Sequence, residues 1–177
     1  MKISRVAFFL IFISTVAYPW EISSPENDTY PNEKRLFHVE RSLNRNIVCY
    51  DINISESGEL NTLEPMTVYW IDREKYPGQS TGLNYIQKKL AFGYEIDLNS
   101  ENGVTIKLNA IKNRKVYIEK DEFSKYYCKT NINNQLSILN KIYVKVRPSN
   151  SLDVEYIDLS GINPDNGSSV SERIYKK

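Results

Sequence analysis

Three observations predict a mainly β fold: repeated apolar–polar alternation in short segments, turn signals between those segments, and only one stretch with helical spacing. The expected architecture is an antiparallel sandwich or partly open barrel carrying one short amphipathic helix at about 82–91. The chain has 177 residues, 41% of them hydrophobic, enough for one domain with a sizeable core.

Ile47–Ile54 has the clearest alternation. Val48, Tyr50, Ile52 and Ile54 fall on one face, and Cys49, Asp51 and Asn53 on the other. Leu36–Arg41 is its expected hairpin partner across the polar loop Ser42-Leu43-Asn44-Arg45-Asn46. Met66–Ile71 is a compact apolar and aromatic run and predicts a central strand. Further strands are expected at Tyr94–Asn99, Val104–Ala110, Lys115–Glu119, Tyr126–Asn131, Ile142–Arg147, Val154–Leu159 and Val170–Tyr175. Turn signals separate them, among them Asn102-Gly103, Asn133-Asn134 and Asn163-Pro164-Asp165-Asn166-Gly167. Leu136–Asn140 fits a helical turn or the start of a longer strand.

In TGLNYIQKKLAFG the period changes. Leu83, Ile86 and Leu90 fall at i, i+3 and i+7, with Thr81 placed to cap the first turn and Gly93 to end the helix in a left-handed conformation. So short a helix is marginal alone, so its apolar stripe is expected to pack on the sheet. Val48, Tyr50, Ile52, Val68 and Leu90 are the expected buried residues.

The domain is preceded by two different segments. Lys2 and Arg5 lead into the apolar run Val6–Val16, followed by the small residues at Thr15-Val16-Ala17. A run of about eleven apolar residues is too short for a stable membrane anchor and reads as a signal peptide over 1–17, cleaved near Ala17. No Cys follows the run, which argues against a lipid anchor. Residues 18–35, YPWEISSPENDTYPNEKR, lack apolar periodicity and read as a flexible leader before a domain at 36–177. The expected address is periplasmic or extracellular.

Loss of Lys2 and Arg5 with the signal leaves 21 basic against 22 acidic residues. Nucleic acid is therefore not an expected partner, because it requires a concentrated basic face. The local cluster Lys112, Arg114 and Lys115 reads as a solvated turn.

Four ordered strings carry a family resemblance: LFHVERSLNRNIVCYD, PMTVYWI, LNYIQKKLAFGYEI and YIDLSGINPDNGSSVSERI. They match an F-x-x-x-R-S-x-N-x-N-x-V-x-Y start, a Y-W-I strand, an L-A-[FY]-G-Y helix exit and a late G…E-R segment. In this the chain resembles bacterial domain-of-unknown-function family 4833 over residues 36–175. The resemblance implies a small exported bacterial domain and brings no established activity.

Chemistry must be sought in the residues. His38 is the single histidine, and no C-x-x-C or H-x-x-x-H spacing points to a metal. No glycine-rich phosphate loop or G-x-S-x-G elbow is present, and no cofactor is expected. The enzyme alternative is a Cys49–His38 pair. In the expected hairpin His38 lies opposite Cys49 or Tyr50, and cross-strand β-carbons approach to about 5 Å. Against it, a lone strand His and a buried Cys are ordinarily structural, and no orienting group is evident.

The binding alternative gathers Arg41, Asn44, Asn46, Tyr69, Trp70 and Glu172 around one concavity. Arg41 can grip an anion through paired hydrogen bonds, and the amides can extend that grip. The competing reading has Glu40, Arg41, Glu172 and Arg173 forming ion pairs between first and last strands, with Asn44 and Asn46 shaping a turn. Thirteen Tyr and two Trp offer either core packing or platforms for a glycan, a peptide or an envelope protein. Cys49 and Cys128 can form one bridge in an oxidising compartment, although alternation does not fix their mutual facing. The expected function is a non-catalytic binding or structural module.

Overall fold

The computed structural model describes residues 33–100 and 103–176. The expected signal segment 1–17 and most of the expected leader 18–35 lie outside the described residues. Among the described residues eleven strands follow in order: β1 (Arg35–Arg41), β2 (Asn44–Ile52), β3 (Met66–Ile71), β4 (Ser80–Gly82), β5 (Tyr94–Ser100), β6 (Gly103–Leu108), β7 (Lys115–Lys120), β8 (Tyr126–Ile132), β9 (Gln135–Arg147), β10 (Asn150–Ile162) and β11 (Ser169–Tyr175). A helical segment between β4 and β5 runs from α1 (Tyr85–Gln87) into a wider π turn at Lys88–Phe92.

β9 organises the sheet. One of its edges pairs with β10 over most of its length. The other is divided: β8 pairs at Gln135–Ile138, and β1 pairs in parallel at Lys141–Val144. Two four-stranded wings, β1–β4 and β5–β8, therefore leave the same edge of one strand. The sheet curls into a half-barrel, which is the partly open alternative expected from the sequence. All its pairs are antiparallel except β1 with β9, which the long intervening chain permits.

The core lies between the wings. Phe37 and Val39 of β1, Val48, Tyr50 and Ile52 of β2, and Val104, Ile106 and Leu108 of β6 belong to one buried cluster with Leu139 and Ile142 of β9. Phe37 stacks on Tyr50 with ring centroids 4.2 Å apart. Strand alternation supplies this face directly. At Gly161 of β10 a Cβ would lie 2.2 Å from the Ile138 carbonyl oxygen, so the close approach of β10 to β9 requires glycine there.

Local turn chemistry tightens two hairpins. Arg41 pairs with Asn44, so the β1–β2 turn is shorter than the expected 42–46 loop. Asn133 and Asn134 both take positive φ, 51° and 64°, in the two-residue turn from β8 to β9. Leu136–Asn140 is strand.

The helix expected at 82–91 needs correction. Thr81 and Gly82 belong to β4, and Asn84 is the cap, in a reciprocal box with Gln87. The Asn84 Oδ1 accepts from the Gln87 N–H at 2.9 Å, and the Gln87 Oε1 accepts from the Asn84 N–H at 3.0 Å. Gly93 is extended rather than left-handed, and a Cβ there would lie 2.2 Å from the Lys88 carbonyl oxygen. Leu83 and Phe92, which flank the segment, are buried, whereas Ile86 and Leu90 are 65% and 69% exposed. The anchor is at the ends. Phe92 meets Trp70 edge-on at 5.1 Å, and the Tyr50 hydroxyl donates to its carbonyl at 2.8 Å. Val68 is only partly buried against the core.

Candidate functional site

β2 is buried on both faces from Ile47 to Ile52. On the face away from the shared core, Ile47, Cys49 and Ile71 form a second small cluster, with Tyr69 packed against it. Beside this cluster Asp51 lies opposite Arg35 of β1 and Thr67 of β3.

These neighbours close a triangle. The Arg35 Nε–H donates to Asp51 Oδ1, and the Tyr69 hydroxyl donates to Asp51 Oδ2 at 2.5 Å. Arg35 Nη2 donates to the Tyr69 oxygen at 3.1 Å, and the guanidinium lies 5.8 Å from the Tyr69 ring centroid. The Arg35 and Asp51 side chains are only 11% and 9% exposed. Burial and the Asp51 carboxylate push the Tyr69 phenol above its ordinary pKa, which keeps it a donor.

The triangle borders a cleft of about 710 Å³, lined by Lys34, Asp51, Asn53, Asn61, Thr67 and Tyr69 among others. The polar groups are held in place. Thr67 Oγ1 donates to Asn53 Oδ1 at 2.6 Å, and Asn53 Nδ2 donates to the Glu64 carbonyl at 2.8 Å. Asn61 Oδ1 accepts from the Leu63 and Glu64 amides at 3.1 and 3.2 Å. Carboxylate, hydroxyl and amide groups thus converge beside an aromatic ring, a composition suited to an oriented polar ligand.

The remaining expected residues are dispersed. Asn44 Oδ1 accepts from the Asn46 amide at 2.9 Å, and Asn46 Oδ1 accepts from the Arg73 amide at 2.8 Å, so both side chains serve the backbone near Arg41. Trp70 takes the opposite face of β3 from Tyr69 and packs on Phe92. Glu172 receives both Nη groups of Arg114, at 2.8 and 2.7 Å, and the Asn133 amide at 2.5 Å. Arg173 grips Asp158 instead. The expected pairing of first and last strands is absent, because β11 pairs only with β10 while β1 lies between β2 and β9. Of the six, only Tyr69 lines the cleft. Asp51, Asn53, Asn61 and Thr67, which line it, and Arg35 beside Asp51 are outside the expected set.

His38 and Cys49 are strand partners, as the hairpin required. The imidazole nevertheless engages Glu40, with Nε2 3.3 Å from Oε1. That contact, against opposing burial and aided by Lys141 and Arg73, pulls the Glu40 carboxyl down to about 2. Cys49 is fully buried, and burial pushes its thiol up to about 11. A thiol so protonated at neutral pH is a poor nucleophile. Cys49 and Cys128 are both free, one in the outer cluster and the other in the main core, which corrects the possible bridge. Among the described residues no group of three or more His, Cys, Asp or Glu side chains is placed to hold a metal ion. No helix among them is long and apolar enough to cross a membrane.

A family model described as a domain of unknown function, DUF4833, matches residues 37–173. No curated protein and no solved structure matches the chain.

Proposed function

The chain belongs to the DUF4833 family, and within it we propose an exported, non-catalytic domain that binds a hydroxyl-rich ligand, a glycan segment, beside Asp51 and Tyr69. The Arg35–Asp51–Tyr69 triangle carries this reading. It fixes a carboxylate and a phenol at the edge of a cleft whose other polar groups are already oriented. Hydroxyls are both donors and acceptors, so they suit a wall that mixes carboxylate oxygens, amides and a threonine hydroxyl. The exposed part of the Tyr69 ring offers an apolar surface for the flat face of a sugar.

Two observations support the remaining parts of the proposal. The Lys2/Arg5 start, the Val6–Val16 run and the small residues before Tyr18 support export. The buried, protonated Cys49 thiol and the engagement of His38 with Glu40 support a site without a nucleophile.

A glycan array probed with protein purified from the exported fraction tests the proposal. Retention should fall at least tenfold for Tyr69→Phe and for Thr67→Val, with thermal midpoints that still report a folded domain. Absence of retention, or retention indifferent to both substitutions, would contradict it.

A further inference from the structure

β3 and β5, near the two ends of the strand order, face each other across a second groove of about 700 Å³. Met66, Thr67 and Val68 line it from β3, and Tyr94, Glu95 and Ile96 line it from β5. Three consecutive residues from each strand mark a groove bounded by strand edges, because a groove on one sheet face would meet every second residue. β4 covers β3 only at Tyr69–Ile71, and β5 has β6 as its single strand partner.

We infer that this groove is a binding site for an extended peptide, which adds as a strand to the edge of β5 and lays side chains between Leu63 and Tyr85. The charges argue for a peptide of mixed sign. Lys88 and Lys89 line the groove together with Glu64 and Glu95; the Lys89 ammonium lies 5.7 Å from the Tyr85 ring centroid, and no ion pair joins any of the four to another described residue. Opposite charges without ion-pair partners among the described residues complement a chain that carries both. Leu63 and Tyr85 are 86% and 72% exposed at its rim, and Leu98 further along β5 is 62% exposed. An edge strand with exposed apolar side chains is a template for strand addition, and main-chain hydrogen bonds then supply affinity while rim pockets select side chains.

The probe is a random twelve-residue peptide library displayed on phage and selected on the immobilised mature protein. Selected peptides, resynthesised, should slow hydrogen exchange at least tenfold for those 94–100 amides that do not bond to β6. Alternate backbone N-methylation of the peptide should abolish binding, and the double variant Lys88→Glu/Lys89→Glu should weaken it about tenfold. Tyr69→Phe should leave it unchanged, which separates this groove from the Asp51 cleft. Failure to select any peptide above background overturns the inference. So does protection confined to other amides, or binding that survives N-methylation.

Discussion

The Tyr94 phenol bonds twice to a single residue at the opposite end of the sheet: it accepts from the Met66 N–H at 3.2 Å and donates to the Met66 carbonyl at 2.9 Å. One side chain thus satisfies the backbone pair of Met66 and ties β3 to β5. The Tyr50 hydroxyl adds a second link from one wing to the carbonyl of Phe92.

Tyr94→Phe keeps the ring and removes both bonds, leaving a backbone donor and acceptor without their partner. A loss of about 1–3 kcal/mol is expected, read as a lower urea midpoint at unchanged slope. An unchanged midpoint would show that water satisfies Met66 equally well.

Glu40 gives the domain an acid-sensitive contact. Its carboxyl sits at about 2 when folded, against an ordinary 4.5, chiefly through His38. A carboxyl depressed on folding contributes stability above its unfolded value and loses it as pH falls towards the folded one. The contribution should therefore be complete above about pH 4.5 and disappear towards pH 2. Glu40→Gln should flatten the acid limb of urea midpoint against pH in that window, and an identical limb would remove Glu40 from the explanation.

The strands were legible because each wing buries one face against the other, and burial on one face imposes a period of two. Met66–Ile71 was read to the residue on a different ground, as a compact apolar and aromatic run. Arg35 was not, because a register shift between Arg35 and Phe37 moves it out of the alternation, so its contact with Asp51 has no local signature. The division of one β9 edge between β8 and β1 is likewise a long-range fact. In the helical segment, Leu83 and Phe92 anchor the ends and override the Leu83–Ile86–Leu90 stripe. Glu172 was expected in a ligand site or in an ion pair with the first strand, and its partner is instead Arg114, from a turn 58 positions away that had been read as solvated.

Both cysteines should persist as thiols even in exported protein. Cys49 and Cys128 are buried in separate clusters, and burial raises the pKa of each, so alkylation should be negligible in the native state. Intact mass after denaturation in alkylating agent without reductant should show two added groups. A mass with none added would reveal a bridge and a different packing of β2 or β8.

The central claim is that ligand binds beside Asp51 and Tyr69. Amide chemical-shift mapping during titration with an array-selected glycan tests it most directly. The account predicts perturbations concentrated at residues 51–55, 59–61 and 67–69, lost in Tyr69→Phe at the same glycan concentration. Perturbations that avoid these residues while clustering elsewhere on the domain would contradict it.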